Sequence, residues 1–193
     1  MEQSATTRLM VATTLDGAAE ELRDFDRVVE TYQPAIFRFM LASLRDVDDA
    51  QTLTQECFLR AFRHRRQFRG QASVKTWLMQ IAVNLLRDRA RSRRLRFWRQ
   101  AQVSSVDACT LPDVLANREL SPESHTLLKE QVRKIWQAAR ALSDMQRSVF
   151  LLRFVEEMDL LEIAEVLGIR EGTVKSHLSR ALNNVREQIK DMP

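Results

Sequence analysis

A stretch near the C-terminus carries hydrogen-bonding and basic side chains along one side of a predicted helix. These side chains belong to Thr173, Lys175, Ser176, His177, Ser179, Arg180 and Asn183. Hydroxyl, ammonium, amide and guanidinium groups bond base edges and phosphate oxygens in the major groove of DNA. The chemistry predicted for this stretch is therefore recognition of duplex DNA.

The residues around that stretch predict a helix-turn-helix that would position it. Asp159 is a good N-cap for a short first helix, and Glu162 follows three residues later, as in a capping box. Gly168 ends this helix, because glycine tolerates the left-handed conformation at a helix C-terminus. The predicted buried side chains of the two helices are Ile163, Ala164, Val166 and Leu167, then Val174, Leu178, Leu182, Val185 and Ile189. An ordinary helical hairpin with a solvated side is the alternative.

A second region, residues 60–99, is strongly basic, and Asp88 is its only acid. Such a block attracts a polyanion through phosphate neutralisation and counterion release. A solvated basic surface would explain the charge alone, but aromatic residues interleave with the arginines, as base stacking on single-stranded nucleic acid requires. The aromatic residues are Phe62, Phe68, Trp77, Phe97 and Trp98.

A long helix is predicted after Gly70 within this basic region. One side of it is apolar, with Trp77, Leu78, Ile81, Ala82 and Leu85. Another side carries Thr76, Gln80, Asn84, Arg87 and Arg91. This second side is a candidate surface for reading bases and following a backbone, although spacing alone also allows Asn84 to be a neutral exposed residue.

Composition and periodicity predict an all-α protein of two small helical domains joined by a flexible linker, the second domain being the helix-turn-helix. The chain has only four glycines and four prolines, and 45% of its residues are hydrophobic, enough for two cores. The predicted divisions are a loosely ordered leader (1–20), a first domain (21–99), a linker (100–121) and a second domain (122–193).

Three helices are predicted within the first domain, over residues 22–44, 47–64 and about 73–94. Pro34 predicts a break or kink in the first of them, because the residue before a proline is disfavoured in helical geometry. Helices are expected to resume near Pro122, since proline suits the first position of a helix.

Several functional classes are disfavoured by the same sequence. Cys57 and Cys109 lack metal-ligand spacing, and the histidines show no ligand pattern with them, so we expect no metal, no cofactor and a reduced, cytoplasmic protein. A redox role for the two thiols stays open. The longest apolar run, Val149–Val155, is too short to cross a membrane and contains Arg153, so no direct membrane insertion is expected. No signal peptide is evident.

Three blocks of the sequence, in order, resemble bacterial RNA polymerase sigma factors of the extracytoplasmic function class. Residues 49–62 (DAQTLTQECFLRAF) are similar to the polymerase-binding helix of that family. Residues 68–78 (FRGQASVKTWL) with 81–84 (IAVN) resemble the loop and helix that capture the melted minus-ten element. The helix-turn-helix with residues 171–176 (EGTVKS) resembles the domain that binds the minus-thirty-five duplex.

The resemblance implies a role for each block. Core polymerase, through its beta and beta-prime subunits, is expected to contact Asp48, Asp49, Leu53, Gln55, Glu56, Phe58, Arg60 and Phe62. The minus-ten strand is expected at Phe68, Arg69, Gly70, Gln71, Ala72, Ser73, Lys75, Thr76, Gln80, Asn84, Arg87 and Arg91. The minus-thirty-five duplex is expected at Arg170, Glu171, Gly172, Thr173, Lys175, Ser176, His177, Ser179 and Arg180.

Under this interpretation the partners are core polymerase, promoter DNA and an anti-sigma factor, and bond formation is left to the polymerase. Two alternatives remain at this point. A transcriptional activator or response regulator would also carry a helix-turn-helix, but it needs an α/β ligand-binding or phosphoacceptor domain. A nuclease needs clustered carboxylates for metal ions, and none lies near the basic block.

Overall fold

The computed structural model describes residues 20–97 and 134–190, and within these ranges the secondary structure is helical without strands. The main helices are α1 (Phe25–Leu44), α2 (Val47–His64), α3 (Val74–Phe97), α4 (Asp144–Phe154), α5 (Leu160–Leu167) and α6 (Glu171–Lys190). The predicted all-α class is confirmed. The predicted leader up to residue 19, the linker over 100–121 and the helical start near Pro122 lie outside the described residues.

Helix α1 runs without interruption through Pro34, so a break there is wrong, while the alternative of a kink stays a prediction. Asp24 caps its N-terminus by accepting a hydrogen bond from the backbone N–H of Arg27 at 3.2 Å. Pro34 is exposed, as is Glu30, whose carbonyl loses its helical donor to the proline. Water can solvate that carbonyl, and the buried residues on either side of the proline hold the helix in place.

The N-terminal unit, α1 to α3, packs around a core in which small residues let helices approach closely. Ala50, Cys57 and Ala61 are fully buried on α2. The Cys57 thiol lies 3.6 Å from the carbonyl oxygen of Leu78, so α2 rests directly on the backbone of α3. Asp49 also pairs with Arg89, which fixes the start of α2 against the middle of α3.

The C-terminal unit, α4 to α6, contains the predicted helix-turn-helix. Asp159 and Glu162 form the expected capping box at the start of α5, with both bonds at 2.8 Å. Gly168 adopts the expected left-handed conformation, with φ of 66°, and ends the helix. Val174, Ala181 and Val185 then bury one side of α6 against α4 and α5. The local signals in the sequence were sufficient to predict this motif.

The two units pack against each other, with α1 contacting α4 and α3 contacting α5. Glu156, just after α4, is buried in this interface. As a result, the helix predicted to bind the melted strand lies beside the first helix of the helix-turn-helix.

Candidate nucleic-acid interface

The polar side of α6 is open to solvent over most of its length. Thr173, Lys175, Ser179 and Arg180 are exposed, while His177 is half-buried. The helix is oriented by its buried opposite side, so these groups point outward together. An exposed row of hydroxyl and cationic groups on a rigid helix suits entry into a major groove.

Short-range contacts hold the first turn of α6. Lys175 Nζ lies 2.6 Å from a carboxylate oxygen of Glu171, and the Ser176 hydroxyl donates to the Gly172 carbonyl at 2.9 Å. The Arg170 carbonyl accepts the backbone N–H groups of Thr173 and Val174. The predicted contacts at Glu171, Gly172 and Ser176 thus also have a local structural role. Arg180 is exposed and forms no hydrogen bond or ion pair with the other residues of 20–97 and 134–190.

The loop between α2 and α3 has a defined shape. Gly70 is buried and has φ of 67°, a conformation that side-chain-bearing residues rarely adopt. Ser73 caps α3, since its hydroxyl oxygen accepts the backbone N–H of Thr76 at 3.0 Å. Arg69 and Gln71 are exposed at the tip of the loop, between these two anchors.

A cavity of about 350 Å³ lies between the end of α2 and the middle of α3. Phe68 and Trp77 form an aromatic wall, with ring centroids 5.0 Å apart. The full lining consists of Arg60, His64, Gln67, Phe68, Trp77, Ile81 and Asn84, referred to below as the Asn84 pocket. Its aromatic wall and polar rim could accept one flat ring with hydrogen-bonding edges.

Three lining residues of the Asn84 pocket were missed at the sequence level. His64 and Gln67 end α2 and the following turn, 3.3 Å from each other, and Ile81 is one turn beyond Trp77. Their position beside the loop that begins at Phe68 was the available signal. Trp77 is half-buried and both packs on Phe68 and lines the pocket, so core packing and ligand contact are not exclusive for it.

The C-terminal unit contacts some side chains on the predicted polar side of α3 and leaves others exposed. Asn84 and Arg91 are exposed. Gln80 donates to the carbonyl of Glu165 at 3.3 Å, and Arg87 donates to the carbonyl of Leu167 at 2.9 Å. These two side chains therefore contact the end of α5 in this structure.

Thr76 differs from the other predicted members of that side because it is buried, with 1% of its surface exposed. Its hydroxyl lies 2.9 Å from that of Ser73 and belongs to the helix start. The period of the helix placed Thr76 beside Gln80, but the capped first turn directs it into the core.

Glu156 is the central charge between the two units. Its carboxylate is fully buried and lies 3.4 Å from Arg38 Nη2 and 3.9 Å from Lys75 Nζ. Lys75 also donates to the backbone carbonyl of Glu156 at 2.5 Å. Burial raises the pKa of Glu156, and the nearby cations Arg38 and Lys75 counteract only part of that effect. We call Arg38, Lys75 and Glu156 the interdomain clasp.

The outer side of α2 presents a mixed apolar and polar surface. Asp48 and Gln55 are exposed there, and Phe62 is 44% exposed. Phe58 instead lies in the core at 8% exposure, and Leu53 is half-buried. The sequence prediction did not include Leu59, which is 44% exposed beside Phe62.

Several predicted α2 side chains are engaged within the chain. Arg60 Nε lies 2.8 Å from Glu56 and Arg60 Nη1 lies 3.8 Å from Asp88 of α3. Asp49 pairs with Arg89. These ion pairs connect α2 to α3 and leave Asp48 as the exposed acid at the start of α2.

Residues 20–97 and 134–190 contain no group of His, Cys, Asp and Glu side chains placed to hold a metal ion. Nor do they contain a helix that is long and apolar enough to span a bilayer. Burial raises the pKa of the Cys57 thiol to about 12, so it is protonated and unreactive at neutral pH. Cys109 lies outside the described residues.

Both units match known domain families. Residues 28–96 match Sigma-70 region 2, and residues 132–185 match Sigma-70, region 4. An activator or response regulator would have an α/β domain in the N-terminal half. The match there is to Sigma-70 region 2 instead, so that alternative is not favoured.

Several sigma factors are similar over most of this chain. The ECF RNA polymerase sigma factor SigW of Bacillus subtilis is 30% identical over 168 residues, spanning 87% of this chain and 90% of the relative. The RNA polymerase sigma-E factor of Streptomyces antibioticus is 31% identical over 172 residues, spanning 89% and 88%.

Solved structures show the same fold. The sigma factor RpoE, solved with the anti-sigma factor NepR from Bartonella quintana, has a TM-score of 0.71 at 22% identity and covers 89% of this chain and 99% of its own. CnrH, solved with the cytosolic domain of CnrY, has a TM-score of 0.62 at 19% identity, covering 96% and 98%. With both domain matches and these relatives, the chain belongs to the extracytoplasmic function sigma factors of the sigma-70 family, which direct RNA polymerase to promoters.

Proposed function

We propose that this sigma factor contacts its promoter through two chemically different surfaces, with α6 reading the minus-thirty-five element as duplex. The support is the exposed row Thr173, Lys175, Ser179 and Arg180 on a helix held by a buried opposite side. Such side chains can bond base edges while the cations neutralise phosphates. Arg180 is the strongest candidate for base contact because it is exposed and has no partner within the described part of the chain.

The minus-ten element is bound as melted strand at the loop 68–73 and α3. The observation that carries this proposal is the Asn84 pocket, which joins an aromatic wall to an exposed amide. Extruding a base costs a few kcal/mol, which stacking and edge hydrogen bonds in a fitted pocket can offset. Asn84 supplies both a donor and an acceptor for the edge of such a base.

Core polymerase docks on the outer side of α2. Leu59 and Phe62 form its exposed apolar part, with Asp48 and Gln55 beside them. Exposed large apolar side chains next to polar ones are typical of protein interfaces. Phe58 supports this surface from the core and does not reach the partner.

The chain itself performs no bond-making chemistry in this scheme, and it acts in the cytoplasm with the polymerase. A further partner is an anti-sigma factor, since two proteins of the same fold, RpoE and CnrH, were solved with the anti-sigma factor NepR and the cytosolic domain of CnrY. That partner would compete for the exposed surfaces of both domains.

The direct test is reconstitution with bacterial core polymerase and transcription from fragmented genomic DNA. We expect transcripts whose templates share a pair of upstream elements. Leu59→Asp should abolish core binding and transcription together, whereas Arg63→Ala, a change at a neighbouring exposed position, should preserve both. A chain that binds DNA yet never binds core polymerase would overturn the proposal.

A further inference from the structure

A second cavity of about 350 Å³ lies where the end of α1, the middle of α3 and the start of α4 meet. We call it the arginine cleft, because its lining includes Arg45, Arg87, Arg89 and Arg147, together with Ser43 and Ser148. It shares no lining residue with the Asn84 pocket and none with the interdomain clasp. Its size suits a small organic molecule, which would contact both units at once.

The lining of the arginine cleft is strongly basic. Asp144 is the one acid among the described lining residues, against four guanidinium groups. Asp144 lies 3.9 Å from Arg147, and its side chain is 92% exposed, so solvent screens its charge. Like charges gathered around one cavity repel each other, and an anion bound between them would relieve that repulsion. The lining therefore favours an anionic ligand.

Bonds within the chain hold three of these arginines in place. Arg87 Nη2 donates at 2.9 Å to a carbonyl at the end of α5, and Arg147 donates at 3.0 and 3.4 Å to two carbonyls that precede α4. Arg89 pairs through Nη2 with Asp49, and its Nε is buried without a hydrogen-bond partner. Because a guanidinium carries five N–H donors, Arg87 and Arg89 keep donors for a ligand. Side chains that are already held in place lose little conformational freedom when a ligand binds.

We propose that the arginine cleft binds a small molecule with adjacent phosphate groups, of the nucleoside di- or triphosphate class. Arginine suits phosphate because its planar fork can bond two oxygens of one phosphate group. Several guanidinium groups around one cavity suit phosphates that are joined directly to each other. The inference rests on the cavity and its charges, and it does not depend on the proposed promoter contacts.

The remaining lining can hold the nucleoside part of such a ligand. Leu44, Val83 and Leu86 line the same cavity and give it an apolar floor. Val83 is buried, while Leu44 and Leu86 are half-buried. A sugar can rest on apolar side chains, and a base can stack on the plane of a guanidinium group. The cleft thus offers contacts to both halves of a nucleotide.

A DNA backbone is the other source of phosphate groups. Arg87 lines the cleft and is also proposed to contact the melted strand. The phosphates of a DNA strand are separated by sugars, whereas those of a nucleoside triphosphate are adjacent. Single-stranded DNA therefore serves as the competitor that distinguishes the two sources.

Binding is measured by isothermal titration calorimetry of the full chain with inorganic phosphate, pyrophosphate and adenosine triphosphate. Pyrophosphate should bind about tenfold more tightly than phosphate, because a second phosphate adds charge-assisted hydrogen bonds, and adenosine triphosphate should bind at least as tightly as pyrophosphate. Equal affinities for phosphate and pyrophosphate, or no saturable binding, would overturn the proposal. Displacement of adenosine triphosphate by randomised single-stranded DNA at an equal phosphate concentration would assign the cleft to a nucleic-acid backbone and would also overturn it.

Ser148→Glu tests whether these ligands occupy the cleft. Ser148 is half-buried on α4, so the substitution adds a negative charge to the lining and removes no arginine. Adenosine triphosphate should bind about tenfold or more weakly, because like charges brought together repel. Thr31→Glu is the matched control, since it makes the same change of charge at an exposed position of α1, roughly 18 Å along the helix from Ser43. Equal losses in both variants would show binding to the basic surface in general and overturn the site.

Arg45→Ala removes one guanidinium group from the cleft. We expect adenosine triphosphate to bind about tenfold more weakly, the effect of losing a hydrogen bond to a charged group. Arg45→Lys keeps the charge without the planar fork, so its loss should be smaller. Arg27→Ala, at an exposed arginine near the start of α1, should bind as the parent does. Circular dichroism checks that each variant is folded, and equal losses in Arg27→Ala and Arg45→Ala would overturn the site.

Discussion

The two helices that carry the proposed DNA-reading side chains, α3 and α6, differ in what lies over them. The polar side of α6 faces solvent, with contacts confined to its own first turn. On α3, Lys75, Gln80 and Arg87 bond the opposite unit. Both helices have a pattern that indicates nucleic-acid binding, but only one is fully available in the free chain. The types of side chain that a helix carries and the exposure of those side chains are therefore separate properties, and each can be tested.

The largest expected effect comes from the open helix. Arg180→Ala should weaken binding to minus-thirty-five duplex about ten- to a hundredfold, the effect of losing a base or phosphate contact worth ~1–3 kcal/mol. Core polymerase binding should not change. Arg186→Ala is the matched control, an exposed arginine on another side of α6. Electrophoretic titration over a range of salt concentrations would measure both affinities. Equal losses of affinity for the two variants would show that Arg180 acts only through its charge and makes no specific contact.

Amine acetylation compares the covered and open helices directly. Lys75 bonds the Glu156 carbonyl, whereas the Lys175 side chain is 60% exposed beside Glu171. The bond of Lys75 to the carbonyl of buried Glu156 contributes ~1.5–3 kcal/mol, whereas the exposed i,i+4 pair of Lys175 with Glu171 contributes only ~0.5 kcal/mol. Lys75 should therefore react about fivefold or more slowly than Lys175. Quantitative mass spectrometry after brief labelling gives the two rates. Similar rates would show that α3 is as accessible as α6.

Asn84→Ala tests the exposed part of α3. Removing one hydrogen-bonding side chain from the rim of the Asn84 pocket should slow promoter opening about three- to tenfold, the effect of ~0.5–1.5 kcal/mol. Closed-complex formation should be nearly unaffected, because the strand is still paired at that stage. Permanganate footprinting against time separates the two steps. Unchanged opening kinetics would leave Asn84 a neutral exposed residue.

The smallest expected effects are changes in stability at the two glycines between the covering helix α5 and the open helix α6. Gly168→Ala should destabilise the chain by about 1 kcal/mol, because alanine is strained at a φ of 66° although its Cβ meets nothing within 4 Å. Gly172→Ala, equally unobstructed but helical, should stabilise it by about 0.5 kcal/mol. Urea unfolding curves would give the two values, and changes of the same sign would contradict a conformational origin.

Local signals predicted much of the fold. Asp159, Glu162 and Gly168 act through hydrogen bonds within one turn of the chain, so their roles were readable and are confirmed. Pro34 was misjudged because its effect depends on whether the freed carbonyl meets water or the core. The site residues could be proposed from residue type and resemblance, but their exposure could not. Phe58 and Thr76 were proposed as contacts and are buried, whereas Leu59 was not proposed and is exposed.

The sequence by itself determined the family, the helical architecture and the kinds of side chain offered to DNA, because helix period, caps and charge act over a few residues. Only the tertiary structure decided that Arg38, Lys75 and Glu156 meet, and that α5 lies over α3. Residues 38 and 156 are joined by packing between two units, and no local pattern records which distant surfaces will pack together. For this sigma factor, the local sequence determines which side chains are offered to DNA. The packing of the two units determines which of those side chains are exposed.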